Sequence, residues 1–386
     1  MVTDVPVRPE VLRWALDRSG MEAGSDRHTR FSAWASGHGV PTLSELDEFA
    51  RATHVPFGYL FLPEPPRESL PIPDLRTVRD RGVSRPSPDL LDVIDLARRA
   101  QDWYREHSVT RGEPPLDFVG SAPTTLEPVA VASAIRVRLD YAERIRDGSK
   151  DMDDAVRVAI ESIEETGVLV MISGIVGANT HRKLDVHEFR GFALSDPRAS
   201  VIFVNGVDAR PAQLFTLMHE LAHVWAGQSA LSDADPTASE AHPTERWANA
   251  VAAEVLLPVA ELAAALGGDV SLEPERIRRL ARRFHVSPLV VLHRLFDAGL
   301  MPWEAYRSAY VTEEERGRIM ADEEHGSSSD GGNYYNTRLR QVGRRFARDV
   351  IVDALEGRTL YRDAFRLLGT RKHATFEGLA TRLGIG

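Results

Sequence analysis

Apolar residues recur at helical spacing along most of the chain. Pro9 opens a first run, with Val11, Leu12, Ala15 and Leu16 on one face. A second run carries Leu43, Leu46, Phe49 and Ala50, with Thr42 as N-cap and Glu45 completing a capping box. Residues 88–106 predict an amphipathic helix with Leu90, Leu91, Val93, Ile94, Ala97 and Ala100 on its apolar side, and shorter helices are expected over 130–139 and 155–165. The pattern then changes. Three short runs rich in Val, Ile and Phe, at 168–172, Gly191–Leu194 and 201–204, are bounded by Gly, Asp and Pro and read as strands. Helices follow over 211–226, 244–258, 274–284 and 288–298, and a last helical stretch fills 334–386. Strands followed at once by a helix predict an α+β fold, mostly helical, with a small sheet packed on one central helix and helical modules at both ends.

The breaks set the expected domains. Residues 63–74 hold five prolines and read as an extended linker. Residues 227–243 read as a loop, and 321–333, Gly/Ser-rich and polar, as a mobile linker. The expected parts are a helical module over 1–66, a central domain over 76–302 and a C-terminal helical module over 334–386.

The central helix carries the chemistry. In Thr216-Leu-Met-His-Glu-Leu-Ala-His-Val-Trp225, His219 and His223 are one turn apart and project from one face. Both imidazoles can then reach one zinc ion at about 2.0–2.1 Å. Glu220, beside the first histidine, is placed to hold an attacking water and take its proton. Leu217, Leu221, Ala222, Val224 and Trp225 make the rest of the helix a buried one. A third ligand should come from a later helix. Glu245 in Thr244-Glu-Arg-Trp-Ala-Asn249 supplies a carboxylate, giving a His₂Glu set with a fourth position left for water; Glu254 is its rival. Asn249, one turn after Glu245, can accept the outer N–H of a ligand histidine and fix its tautomer. His242, on the preceding loop, reads as a surface residue. The donor types favour zinc, and manganese can occupy such sites.

Composition narrows the alternatives. The chain of 386 residues has no cysteine, which excludes disulfides, thiolate ligands and a cysteine nucleophile. Its net charge is −10, so nucleic acid or an anionic membrane could be met only by a local basic patch. The first sixteen residues lack an apolar core of signal-peptide length, and the apolar stretch 248–267 is interrupted by Asn249, Glu254, Pro258 and Glu261, so no membrane span and a cytoplasmic location are expected.

At these residues the chain resembles the ImmA/IrrE family of metallopeptidases. The resemblance rests on Glu188-Phe-Arg-Gly-Phe-Ala-Leu194, Val201-Ile-Phe-Val-Asn-Gly-Val-Asp208, Phe215-Thr-Leu-Met-His-Glu-Leu-Ala-His223 and Glu245-Arg-Trp-Ala-Asn-Ala-Val-Ala-Ala-Glu-Val-Leu-Leu-Pro258, with looser similarity over 76–302. It implies a small thermolysin-type (gluzincin-like) peptidase that cleaves a regulatory repressor, with His219, His223 and Glu245 as metal ligands and Glu220 as general base. It also suggests that the Gly191–Leu194 strand is an edge that pairs with an extended peptide. Trp247 departs from the polar residue that relatives carry there and is expected to narrow the cleft. His187, Arg190, Tyr306 and Tyr310 are the candidates for oxyanion stabilisation.

The flanks add a second theme. Trp34-Ala-Ser-Gly37, Val40-Pro-Thr-Leu43, Phe49-Ala50 and Val55-Pro56 resemble the second half of a Cro/repressor-type helix-turn-helix. That placement would turn Arg27, His28 and Arg30 towards DNA, although residues 1–66 carry more acid than base. Residues 274–298 resemble another helix-turn-helix, made locally basic by arginines that include Arg278, Arg282 and Arg294. The basic tail, with Tyr334-Tyr335 ahead of Arg338, Arg340, Arg344, Arg345 and Arg348, could grip an acidic protein or RNA. Chains of this build resemble the antitoxin-side proteins that accompany PIN-like nuclease toxins. Two functions are therefore expected to compete. One is a cytoplasmic zinc-dependent endopeptidase that regulates by cutting a specific repressor or partner. The other is an antitoxin or transcriptional regulator that binds its toxin and operator DNA, with the metal site structural.

Overall fold

The computed structural model describes residues 7–19, 21, 24–66, 70–75, 86–232, 242–267, 273–325 and 333–385. The chain divides into two units. The first comprises Met1–Pro71 with Arg81–Ile94, and the second Ile72–Asp80 with Asp95–Gly386.

In the first unit, α1 (Pro9–Arg18), α2 (Asp26–Ala35) and α3 (Leu43–Thr53) are followed by a 3-10 turn over Phe57–Phe61. The predicted capping box is present. Thr42 caps α3, and Glu45 returns a hydrogen bond to the Thr42 backbone N–H at 2.8 Å. Phe31, Trp34 and Phe49 pack together beneath Leu12, Leu46 and Leu60, with ring centroids of Phe31 and Phe49 4.9 Å apart in an edge-on contact. Part of the stretch 19–24, which would open a helix-turn-helix, lies outside the described residues.

The helix α4 (Pro88–Thr110) is followed by α5 (Pro128–Leu139), a π-helical turn over Tyr141–Arg146 and α6 (Met152–Glu165). The strands come next: β1 (Leu169–Ser173), β2 (Ile175–Val176), β3 (Asn179–Lys183), β4 (Gly191–Leu194) and β5 (Val201–Asn205). The long α7 (Arg210–Ala226) leads to β6 (Ala230–Ser232), and α8 (Pro243–Leu256) and α9 (Val259–Leu266) follow. The chain continues through α10 (Pro274–Phe284), α11 (Pro288–Asp297) and α12 (Trp303–His325), then α13 (Tyr334–Val342), α14 (Arg344–Leu355), α15 (Tyr361–Leu367) and α16 (His373–Arg382). The fold is α+β and mostly helical, as the sequence pattern predicts.

The main sheet has the order β1-β5-β4-β6, with β1 parallel to β5 and the other pairs antiparallel. Every residue of β1, β4 and β5 is buried, because both faces are covered. α7 packs on β4 and β5, while α6, α13 and α14 pack on β1. Such double coverage favours continuous apolar runs over strict alternation.

Three expectations about strands and loops need correction. β4 is not an edge strand, since β6 pairs along its free side. The outer side of β6 is itself covered: Leu231 N–H donates to Pro73 O at 2.9 Å and Leu75 N–H to Leu231 O at 3.1 Å. The loop expected over 227–243 contains β6, a strand too short to show a period, and 233–241 lie outside the described residues. The linker expected from 321 begins late, because α12 continues to His325 through the good helix formers Ala321, Glu323 and Glu324; 326–332 are not described.

The basic tail does not present all its arginines as a free gripping face. Arg338 donates to Leu368 O at 2.8 Å and Gly177 O at 2.9 Å. Arg345 donates to Tyr104 Oη at 2.7 Å and Glu164 O at 3.1 Å. Both side chains are spent on docking the C-terminal helices against the sheet domain. Arg344 and Arg348 remain exposed.

Candidate metal centre

Thirteen successive residues of α7, from Gln213 to Trp225, are buried. The helix runs through the core with α8 on one side and the sheet on another, so even its polar residues have no water. His219, Glu220 and His223 are each 0% exposed. Pro211 sits in its first turn, and Gly227, at φ 70°, ends it in the left-handed region. α8 starts just after the undescribed loop. His242 caps it by accepting from Thr244 N–H at 3.3 Å, and Glu245 lies in its first turn.

Across this helix pair, three donors converge. His219 Nε2 and His223 Nε2 are 3.1 Å apart. Glu245 places one oxygen 3.2 Å from His219 Nε2 and the other 3.1 Å from His223 Nε2. Ligands held at about 2.0–2.1 Å in a tetrahedron lie about 3.3 Å from one another, so the spacing fits an ion at their centre. The electrostatics fit too. The two imidazole nitrogens and the carboxylate face one another out of water, an arrangement that a divalent cation relieves. Burial opposes the ionised form of Glu245, but the histidines win, His219 foremost, and hold its carboxyl down to about 2. His223 is pushed below its ordinary value, chiefly by burial, and a neutral imidazole is what a metal ligand must be.

Glu220 stands beside this triad. Burial raises its pKa well above the ordinary value, and the charge of Glu245 adds to the effect; the nearby Ser232 hydroxyl acts the other way without reaching hydrogen-bond geometry. Neither carboxylate oxygen has a hydrogen-bond partner among the described residues. Its space is made by Gly191 on β4. A Cβ there would lie 2.5 Å from Thr216 Cγ2, 2.9 Å from Phe203 O and 3.0 Å from Glu220 Oε1. Ser232, at the end of β6, places its hydroxyl 3.4 Å from His223 Nε2. Sequence reasoning missed Ser232 and the role of Gly191, because both follow from strand pairing and not from a motif.

Other expected residues are placed differently. Glu254 is no rival ligand: it forms a buried ion pair with Arg294, whose Nε also donates to Leu257 O at 3.0 Å. Asn249 is buried one turn along α8, but among the described residues Nδ1 of neither histidine has a hydrogen-bond partner, so Asn249 fixes neither tautomer here. Trp247 does not narrow a cleft; it is buried in the core with Nε1 donating to Leu126 O at 2.8 Å. Of the oxyanion candidates, Arg190 pairs with Asp208 at 3.3 Å and Tyr306 Oη lies 3.4 Å from His293 Nδ1.

The residues expected at DNA make local contacts. Arg27 and Arg30 both pair with Glu48, at 3.4 and 2.7 Å, and His28 Nδ1 lies 3.3 Å from Ser32 Oγ. Arg278 reaches Glu313 at 2.6 Å and Arg282 reaches Glu275 at 3.1 Å. Arg294, counted among the basic residues of that second segment, is buried. Among the described residues no single helix is long and apolar enough to cross a membrane.

Residues 163–296, which contain the whole cluster, match the family model of the IrrE N-terminal-like domain, a peptidase family. Residues 342–382 match a domain of unknown function (DUF8813). No curated protein matches the chain.

Proposed function

We propose that the chain is a zinc-dependent endopeptidase that regulates by cutting a specific repressor or partner protein. The observation that carries this reading is the convergence of His219, His223 and Glu245 with an unpartnered, buried Glu220 beside them. His219 and His223 would hold the ion through Nε2 and Glu245 through its carboxylate. When bound, the ion supplies Lewis-acid polarisation of the scissile carbonyl and acidifies the attacking water. Glu220 takes the water's proton and passes it to the departing amide nitrogen. Its lack of other hydrogen bonds among the described residues leaves both oxygens free for that transfer. The match over 163–296 supports a peptidase.

Glu220→Gln in the full chain tests the reading. Metal content by mass spectrometry should show zinc in wild type and in E220Q, and none in H219A. Cleavage of a peptide library should fall by about 10²–10⁴-fold in E220Q. A wild type that takes no zinc, or an E220Q protein that cleaves at the wild-type rate, would refute it.

A further inference from the structure

A cavity of about 350 Å³ opens where the C-terminal helices meet α6 and the first turn of α7. Its lining carries five arginines, Arg157, Arg210, Arg340, Arg344 and Arg382, against the carboxylates of Asp153 and Glu161. Val156, Ile160, Val170 and Leu339 supply an apolar part.

The arginines are not neutralised alike. Arg157 pairs with Asp154 and Glu161, and Arg210 with Asp153. Among the described residues no carboxylate pairs with Arg340, Arg344 or Arg382; Arg382 donates to the Asn336 amide oxygen at 2.6 Å. Arg340 and Arg210 share one acceptor, Gln213 Oε1, at 2.5 and 3.1 Å. The Gln213 amide nitrogen is committed to Asp208 O and Gly206 O, at 2.6 and 3.3 Å, which fixes the way the amide faces. Arg340 Nε is buried with no partner among the described residues. Burial, and then the charge of Arg210, push Arg340 down to about 10. A guanidinium removed from water beside a second one, with the charge of Asp153 offsetting the cost only in part, is unfavourable on its own. An anion entering the cavity relieves that cost, and the planar guanidinium fork matches phosphate oxygens.

The volume falls at the small end of ligand pockets, about 300–1,000 Å³, and the mixed lining asks for a molecule with one anionic and one apolar end. We propose that this cavity binds a small phosphorylated organic molecule, its phosphate held by Arg340, Arg344 and Arg382 and its apolar part against Val156, Ile160 and Leu339. None of these side chains belongs to the metal centre, so the inference stands apart from the peptidase reading.

Isothermal titration of the zinc-loaded full chain with adenosine monophosphate, phenyl phosphate and glucose 6-phosphate tests it, with adenosine and inorganic phosphate as comparators. At least one of the phosphorylated probes should bind with a Kd below about 1 mM, adenosine should not bind, and inorganic phosphate should bind at least tenfold more weakly. Arg344→Gln, at an exposed position, should weaken the phosphorylated probe about tenfold. Arg382→Gln should do the same, which keeps the test intact if Arg340→Gln fails to fold. His219→Ala should leave probe binding unchanged. Binding by none of the three probes, affinity unaltered in both R344Q and R382Q, inorganic phosphate binding as tightly as the best probe, or loss of binding in H219A would each overturn the proposal.

Discussion

Glu164 lies in the last turn of α6, against the start of α14, and only 6% of it is exposed. Helix N-termini leave backbone N–H groups without partners, and α14 begins at a glycine that offers no side-chain cap. A carboxylate from another helix takes that role: Glu164 Oε1 accepts from Arg345 N–H at 3.2 Å. Gly343 makes the approach feasible. It sits at φ +88°, and a Cβ there would lie 2.9 Å from Val170 O and 3.3 Å from Glu164 Oε1. Burial raises the Glu164 carboxyl to about 7, and the Arg345 N–H and the charges of Arg344 and Arg345 pull it back only in part. The folded state therefore binds this proton more tightly than the unfolded chain, where the ordinary value is 4.5. The group's contribution to stability is complete below about pH 4.5 and is lost as the pH rises through about 7. At about 1.4 kcal/mol per pH unit between the two values, the full loss is about 3 kcal/mol. Between pH 5.5 and 8.5, about 2 kcal/mol of it should be seen. Glu164→Gln cannot titrate yet keeps an acceptor for the Arg345 N–H. Urea unfolding of both proteins at the two pH values is the assay. Wild type should lose about 2 kcal/mol more than E164Q over that interval, and parallel pH slopes would refute the reasoning.

Other expectations can be read from the same packing. Gly191→Ala should displace Thr216 and Glu220 and lower peptide cleavage by about 100-fold, since misplacements near 1 Å carry that cost; cleavage at the wild-type rate would show that β4 and α7 can part freely. Arg294→Met should leave Glu254 buried and unpaired and destabilise by about 3–5 kcal/mol, with most of the loss recovered in the double variant with Glu254→Met. Thermal unfolding of the four proteins checks it, and a double variant no better than R294M would refute it. Leu75→Pro removes the N–H that pairs with Leu231 O beside the metal centre. If residues 73–75 compete with an extended substrate for β6, peptide cleavage should rise severalfold, and an unchanged or lower rate would exclude that competition.

The helices and the His219/His223 pair were legible in the sequence because each rests on local spacing, and Glu245, which closes the group that could hold a metal, on a motif in a later helix. His219 and His223 lie one turn apart, and the buried strands β1 and β5 are apolar throughout. What escaped depends on partners far along the chain. β6 is three residues long, and only its pairing with β4 makes it a strand. That pairing removed the edge expected at Gly191–Leu194 and brought Ser232 to His223. The polar strand β3, Asn179–Lys183, has no apolar alternation to announce it. The arginines misled most. Their charge reads from the sequence as a basic surface, yet Arg294, Arg338 and Arg345 each donate to backbone carbonyls of other elements, contacts that no local pattern encodes.

Burial of the centre explains why its residue types could hardly be exchanged. A surface carboxylate next to two histidines would be screened by water and would need no ion. Here Glu245 and Glu220 are packed under α7 and α8 with almost no exposure, so the second carboxylate cannot ionise cheaply beside the first. A divalent cation changes that balance for both: it offsets the charge of Glu245 directly, and it makes the ionised form of Glu220 less unfavourable. The same low-dielectric setting that makes the metal-free cluster costly would strengthen the field of a bound ion on a peptide carbonyl. With Pro73–Leu75 laid along β6, an extended peptide pairing with that edge, as the proposed function would have it, would have to displace a segment of the chain itself.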